Sequence, residues 1–127
     1  MRFMIIVRAN ARSESGVMPP PDDPLFADMH AYHEELARAG VLLDGNGLKP
    51  SSRGWRIRYQ DDQRSLRDGP FAETKELIAG YTLIQVRSRE EAMEWARRFP
   101  APFGKTGDGG EIEVRELYEP EDFEQPR

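Results

Sequence analysis

The sequence predicts one domain of the α+β class, and three observations lead to this prediction. Apolar extended segments alternate with two helical patterns in the order strand, helix, strand, strand, helix, strand. A further pair of extended segments stands between the second and third of these strands. The 127 residues suit a single hydrophobic core, and a division would leave neither half with a core of its own. Residues 1–127 are therefore expected to form one domain with the βαββαβ order of the ferredoxin-like type and an inserted hairpin.

The first strand is predicted at residues 3–7, a continuous apolar run of the kind found in strands that are covered on both faces. The polar segment of residues 9–23 follows and contains three consecutive prolines at 19–21, so we expect an irregular loop. A loop of this length could form a flap over a site or be a surface excursion without a role.

The first helix should begin at Pro24, because Asp23 can cap its free N–H groups and proline suits the first helical position. Gly40 should end it in the left-handed conformation. The apolar side chains that recur at helical spacing are Leu25, Met29, Tyr32 and Leu36. The two histidines of the chain, His30 and His33, lie one turn apart beside this apolar face.

Extended segments dominate the middle of the chain. The predicted strands are residues 41–43, 55–59, 64–67 and 79–86. The glycines at 45 and 47 predict a bulge or kink after the first of these strands. A turn at residues 61–63 joins the next two into a hairpin.

The second helix is predicted after the capping box of Ser88 and Glu91. The glycine-rich segment 101–110 that follows lacks the glycine spacing of a phosphate-binding loop. Residues 111–117 alternate as a last strand should, and residues 118–127 are expected to form a loose acidic tail.

The charge and composition exclude several classes of function. The chain has 18 basic and 23 acidic side chains, so its net charge of −5 gives no basic surface for nucleic acid or anionic membranes. It has no cysteine, which excludes disulfides, thiolate catalysis and cysteine-based metal sites. The apolar N-terminal run is too short for a signal peptide, and no run approaches the roughly 20 residues of a membrane-spanning helix. We therefore expect a cytoplasmic protein without nucleic-acid or membrane partners.

Residues 68–76 form the bend around which the other predicted segments are arranged, and they lie between two apolar segments. Asp68 and Gly69 favour a tight turn, and Pro70 prevents the segment from continuing as a central strand. We expect Phe71, which follows the bend, to turn inward.

This stretch resembles a family signature. Asp68-Gly69-Pro70-Phe71 is similar to the DGPF motif of the YCII-related (YciI-like) family, and other segments match in the order that the family shows. These segments are Glu34-Glu35-Leu36, Ala39-Gly40-Val41-Leu42-Leu43, Gly47-Leu48-Lys49-Pro50, Leu77-Ile78-Ala79-Gly80-Tyr81, Glu91-Ala92-Met93-Glu94-Trp95-Ala96 and Glu113-Val114-Arg115. The resemblance covers nearly the whole chain and implies a dimeric α+β barrel. A homodimer formed by packing of sheet faces is also expected from the element order, because the helices cover only one side of the sheet.

We expect a small-molecule pocket between the first helix, residues 45–50 and the DGPF motif. His33 is the candidate acid or base, because histidine titrates near neutrality, and Asp68 is the carboxylate that would orient it. The resemblance implies a His–Asp pair, which has been suggested for some family members. The match fails residue by residue, since the histidine of those members falls near residues 28–30 and their aspartate falls near Pro50.

Other candidate ligand contacts are charged or aromatic. If residues 73–77 are extended, Glu73 and Lys75 share a face, where they could hold a polar ligand or form an exposed ion pair. Lys75 and Arg115 are the groups expected to hold an anion. The remaining candidates are His30 and Phe71.

A metal site is an alternative reading of His30 and His33. Two imidazoles on adjacent helical turns can bind one metal, but the sequence offers no recognisable third ligand. We therefore expect neither a metal nor another cofactor.

A role without chemistry is the second functional hypothesis. The resemblance implies a regulatory or protein-interaction module associated with extracytoplasmic-function sigma factors. An exposed apolar patch would favour this role, whereas a pocket with paired titratable groups would favour an enzyme.

Overall fold

The computed structural model describes residues 1–124 and contains one four-stranded antiparallel sheet with two helices on one face. The strands of the main sheet are β1 (Arg2–Arg8), β2 (Leu42–Gly47), β5 (Ile78–Gln85) and β6 (Ile112–Glu116). A separate hairpin is formed by β3 (Trp55–Gln60) and β4 (Gln63–Asp68). The helices are α1 (Ala11–Glu14), α2 (Pro24–Arg38) and α3 (Arg89–Arg97). The order β2-β5-β1-β6 confirms the predicted α+β fold of the ferredoxin-like type with an inserted hairpin.

The core lies between the sheet and the two longer helices. It consists of Phe3, Ile5, Tyr32, Leu36, Val41, Ile84, Val86 and Ala92. The hydroxyl of Tyr32 donates a hydrogen bond of 2.6 Å to the carbonyl oxygen of Trp95 and so joins α2 to α3. Burial raises the pKa of Tyr32 to about 12, because the phenolate would lose its hydration.

The predicted ends of α2 are confirmed. The side chain of Asp23 accepts a hydrogen bond from the backbone N–H of Leu25, and Pro24 is the first helical residue. Gly40 follows the helix with a φ of +75°, and the N–H of Val41 donates to the carbonyl of Leu36. This cap directs the chain straight into β2.

Two local predictions were wrong, and the condition of a third was not met. The segment of residues 9–23 is not wholly irregular, because Asn10 and Ser13 form a capping box that starts α1. The irregularity in β2 lies between Leu42 and Asp44 rather than at the glycines, which continue to pair with β5. Thr74–Glu76 forms a 3-10 helix, so residues 73–77 do not alternate as an extended strand would.

The end of the described chain is attached to β1. Glu119 accepts hydrogen bonds from the guanidinium of Arg2, and a 3-10 helix covers Pro120–Phe123. The segment that was expected to be a loose tail is therefore attached to β1 through the contact between Arg2 and Glu119. Residues 125–127 of that segment lie outside the described residues.

In the described part of the chain, the helices are too short or too polar to cross a membrane.

Candidate functional site

The DGPF motif is fixed to the loop after β2. Phe71 is only 9% exposed, as predicted, and the Arg56 guanidinium lies 3.8 Å from the centre of its ring. Its backbone N–H donates to the hydroxyl of Ser51, which also contacts the carboxylate of Glu14. A Cβ atom on Gly69 would overlap the carbonyl oxygen of Ser51, so only glycine allows this approach. The motif therefore connects α1, the 3-10 helix Ser51–Arg53 and the hairpin.

His33 lies in the interface between α2 and the sheet. Its Nδ1 is 2.8 Å from the carbonyl oxygen of Met29, and its Nε2 is 2.7 Å from the hydroxyl of Thr82. A carbonyl can only accept, so Nδ1 carries a proton and donates to Met29, and Nε2 is within hydrogen-bonding distance of the hydroxyl of Thr82. A Cβ on Gly45 would lie 3.3 Å from the ring, so the small residue leaves room for it. Both nitrogens of His33 are therefore occupied by protein groups.

The structure does not bring His33 together with the other predicted site residues. His30 is exposed and lies 3.0 Å from the carboxylate of Glu34. Asp68 is exposed at the end of β4, opposite Trp55 in the hairpin. No hydrogen bond joins His33 to Asp68 within residues 1–124.

Glu73 and Lys75 are exposed at the 3-10 helix that follows the motif. The backbone carbonyl of Lys75 accepts from Arg8, whose guanidinium also lies 2.7 Å from Glu113. Arg115 donates to the other oxygen of Glu113 at 3.2 Å. Hydrogen bonds from Arg115 and Arg8 hold the pKa of Glu113 below its usual range. Arg8, Glu113 and Arg115 form a group that we call the basic cluster.

Two open cavities lie away from the predicted pocket. One, of about 240 Å³, lies between α3 and β6 and is lined by Phe3, Arg89, Ala92, Met93, Ala96, Arg97, Val114 and Glu116. The other, of about 580 Å³, is a groove lined by Met1, Arg2, Leu43, Gln85, Glu119 and Glu121. Neither cavity is lined by a residue that the sequence had suggested for the site.

The face of the sheet opposite the helices is called the open face here. The buried side chains of Thr82 and Ile84 point to the helices, so their neighbours on β5 point to the open face. Its centre is an apolar strip formed by Met4, Ile6 and Leu83, which are half-buried. Register places the basic cluster beside this strip, because Arg115 pairs with Met4 and Glu113 pairs with Ile6.

A second polar group borders the strip on its other side. The hydroxyl of Tyr81 donates to Asp44 at 2.8 Å, and the amide of Asn46 donates to Asp44 at 3.2 Å and to Tyr81 at 3.1 Å. We call Asp44, Asn46 and Tyr81 the polar cluster. Asp44 and Asn46 are exposed, so their remaining acceptor and donor positions face solvent.

Sequence reasoning missed the polar cluster. The available signal was the period of two in β5, which places Tyr81 on the face opposite Thr82. The partners on β2 could not be deduced, because their register depends on the irregularity between Leu42 and Asp44. Within the described residues, no group of three or more histidine, aspartate or glutamate side chains is arranged to hold a metal ion.

Comparisons with known proteins agree with the resemblance in the sequence. The "Uncharacterized protein R00369" of Rhizobium meliloti (strain 1021) is 32% identical over 99 residues, which are 78% of this chain and 79% of that protein. A solved structure of 5-chloro-2-hydroxyhydroquinone dehydrochlorinase (TftG) from Burkholderia phenoliruptrix AC1100, in complex with 2,5-dihydroxybenzoquinone, is similar over 96% of this chain and 98% of that one. Its sequence identity is 16% and its TM-score is 0.48. The model of the YCII-related domain matches residues 1–119. The chain therefore belongs to the YCII-related domain family.

Proposed function

We propose that the protein is a homodimer that binds a small polar molecule at the polar cluster, with the two open faces packed against each other. The observation that carries this proposal is the position of the cluster. It joins two strands through hydrogen bonds of 2.8 to 3.2 Å at the border of an apolar strip, and none of the helices within residues 1–124 covers this strip. A ligand there would meet polar groups on one side and apolar surface on the other, as in most small-molecule sites.

The charges beside the strip support packing of two copies. The polar cluster contributes the carboxylate of Asp44, and the basic cluster contributes two guanidinium groups and one carboxylate. The two clusters lie on opposite sides of the strip, so a two-fold axis through it can place each cluster against its counterpart of opposite charge. Packing would also remove Met4, Ile6 and Leu83 from water.

The polar cluster defines the chemistry of the ligand. The carboxylate of Asp44 only accepts hydrogen bonds and is negatively charged when ionised, so it favours an amine or a hydroxyl group and opposes an anion. The apolar strip beside it favours a hydrocarbon or aromatic body. We therefore propose a small amine or alcohol with an apolar part as the ligand class.

An acid or base role for His33 is not part of this proposal. Both of its ring nitrogens bind protein groups, and its contacts lie on the helix-covered side of the sheet. The two residues that were predicted to hold an anion do not lie together, because Arg115 is on the open face while Lys75 is in the 3-10 helix after the motif. Of the predicted ligand contacts, only Arg115 belongs to the proposed interface.

The dimer is tested by sedimentation equilibrium. We expect the wild-type mass to be twice the 14.6 kDa of the chain. Leu83→Arg should give a monomer, since it places a charge in the middle of the strip. Val17→Arg, at an exposed apolar side chain outside the strands of the main sheet, is the matched control and should remain dimeric. A monomeric wild type would exclude the proposal.

Ligand binding is tested with three probes that share one ring, namely benzylamine, phenol and benzoate. Amide chemical shifts of β2 and β5 should respond to benzylamine with a Kd on the order of 1 mM, respond to phenol more weakly, and ignore benzoate. Asp44→Asn should weaken benzylamine binding about tenfold, because it removes a charge-assisted hydrogen bond. Asp22→Asn, at an exposed loop aspartate, should change nothing. Binding of benzylamine that is unaffected by Asp44→Asn would refute the site.

A protein-interaction role is the second candidate, and one observation favours it. Trp55, Ile57, Tyr59 and Leu66 of the hairpin are all exposed. An exposed apolar patch of this kind usually marks a contact with another protein.

A further inference from the structure

The strand register arranges the open face in rows that run across the four strands. In one row each residue pairs with the next, and its members from β2 to β6 are Asp44, Leu83, Met4 and Arg115. The members of the next row, in the same order, are Asn46, Tyr81, Ile6 and Glu113. The first row therefore has a carboxylate at one end, a guanidinium at the other end and two apolar side chains between them.

The two ends of these rows carry opposite net charge. The basic cluster has two guanidinium groups and one carboxylate, which together give a net charge of +1 when all three are ionised. The polar cluster has a net charge of −1, because the carboxylate of Asp44 is its only ionised group. Glu113 is shared by Arg8 and Arg115, so one positive charge of the basic cluster is not balanced by it.

These net charges favour one of the two ways in which two open faces can pack. A two-fold axis parallel to the strands reverses each row, so that Asp44 faces Arg115 of the partner subunit and Leu83 faces the partner's Met4. An axis across the strands would place each cluster against its own copy and bring like net charges together. The parallel axis is therefore favoured, because it pairs opposite charges at the ends of the row and apolar side chains at its centre.

Arg115 has free donors for a contact across this interface. Its side chain is 71% exposed, and within residues 1–124 its one hydrogen bond goes to Glu113. A guanidinium has five N–H donors, so most of them remain open. Facing sheets lie about 10 Å apart, and a long arginine side chain can cross most of this gap. The partner's Arg115 can therefore reach the border of the polar cluster.

We infer that Arg115 of the partner subunit completes the ligand site at the polar cluster. This inference rests on the proposed dimer and narrows its ligand class. Asp44 accepts from an ammonium group, and the partner's Arg115 favours a carboxylate beside it, because guanidinium and carboxylate form paired hydrogen bonds. The ligand that combines these two charges with an apolar body is an α-amino acid with an apolar side chain. An acid that lacks the amine still meets the repulsion of Asp44.

Two probes that differ by one carboxylate test the ligand class. They are phenethylamine and phenylalanine, and their binding is followed by the amide chemical shifts of β2 and β5. We expect phenylalanine to bind about tenfold more tightly to the wild-type dimer. Arg115→Gln should abolish this preference at a protein concentration at which sedimentation equilibrium shows a dimer. Arg38→Gln, which removes an exposed guanidinium from α2, is the matched control and should preserve the preference.

Mixed dimers test whether Arg115 acts from the second copy. An Asp44→Asn chain and an Arg115→Gln chain each lack one half of every site, so each alone should bind phenylalanine about tenfold more weakly. After exchange of subunits, a mixed dimer contains one site with both changes and one site with neither. We therefore expect about a quarter of the sites in an equimolar mixture to regain the wild-type affinity. A mixture without this recovery would show that Arg115 does not act across the interface.

The proposed function and this inference fail in different ways. If phenethylamine shifts the amides of β2 and β5 and phenylalanine binds no more tightly, the proposed site is retained and the role of Arg115 is refuted. An equal loss of both probes in Arg115→Gln would mean that Arg115 holds the two copies together without contacting the ligand. A wild-type dimer that responds to neither probe would remove the proposed site and this inference together.

Discussion

The imidazole Nε2 of His33 lies 2.7 Å from the hydroxyl oxygen of Thr82, and this contact joins α2 to the centre of β5. Thr82 is 2% exposed, so its side chain is almost entirely buried. The other ring nitrogen of His33 donates to the carbonyl of Met29. The pair therefore satisfies polar groups inside the interface between helix and sheet, which is a structural role.

Replacement of Thr82 by valine tests this role. The variant keeps the shape of the side chain but leaves Nε2 of His33 without its hydrogen-bond partner, so we expect a loss of about 1 to 3 kcal/mol in the free energy of unfolding. Urea denaturation monitored by circular dichroism gives the value. Thr106→Val, at an exposed threonine, is the matched control. A change within about 0.5 kcal/mol of wild type for Thr82→Val would show that the contact does not contribute.

Replacement of His33 by glutamine separates structure from ligand binding. The amide cannot reproduce the contacts with both Met29 and Thr82, so the free energy of unfolding should fall. The Kd of benzylamine should stay the same, because the polar cluster lies on the opposite face of the sheet. The check is a chemical-shift titration at a temperature where the variant remains folded. If a folded His33→Gln variant no longer bound benzylamine, His33 would be a ligand contact after all.

Phe71→Ala should destabilise the packing of the hairpin on the loop that contains Ser51. The ring is buried and lies outside the central core cluster, where the arginine side chains around it can partly close the gap. We therefore expect a cost of about 3 kcal/mol, at the low end for a buried phenylalanine. Phe123→Ala, at a side chain that is 70% exposed, provides the control in urea unfolding. A cost below about 1 kcal/mol for Phe71→Ala would contradict its packing role.

The fold could be predicted because its signals are local. Asp23, Pro24 and Gly40 specify the ends of α2 by capping, and the apolar runs specify β1 and β5 by their composition. The inward turn of Phe71 followed from the bend before it. Such features depend on neighbours within a few residues, so the sequence is sufficient for them.

The candidate site could not be predicted, because it depends on register and on distant contacts. The pairing of Asn46 with Tyr81 requires the position of the irregularity in β2, which no turn residue marks. Glu73 and Lys75 were considered as neighbours on one face of an extended segment, but Thr74–Glu76 forms a 3-10 helix instead. His33 was a plausible acid or base by residue type. Only its contact with Thr82 reveals that its Nε2 already has a hydrogen-bond partner in the protein.

Gly69→Ala should disrupt the DGPF motif. The added methyl group would overlap the carbonyl oxygen of Ser51, and backbone atoms cannot move aside as a flexible side chain can. We expect a cost of about 3 kcal/mol or more, measured by urea unfolding. Gly54→Ala is the matched control, because its Cβ would lie 3.7 Å from the same oxygen, at an ordinary contact distance. Similar stabilities for the two variants would mean that the close approach is not required.

The ion pair of Arg2 and Glu119 makes stability depend on pH. Hydrogen bonds from Arg2 hold the pKa of Glu119 below its ordinary value of 4.5. The unfolded chain has the ordinary value, so the folded state gains stability from the ionised carboxylate above about pH 4.5. This contribution is lost as the pH falls through the lower pKa of the folded state, because Glu119 is then protonated in both states.

Glu119→Gln should therefore lower the melting temperature at pH 7 and have a diminishing effect as the pH falls below 4.5. Melting curves of wild type and variant between pH 3 and pH 7, at one protein concentration, give the difference directly. The comparison is needed because the pKa of Glu113 is also lowered, by Arg115 and Arg8, and adds a wild-type pH dependence of the same sign. That dependence is common to wild type and Glu119→Gln and cancels in their difference. A difference that stays constant down to pH 3 would show that the charge of Glu119 does not stabilise the fold.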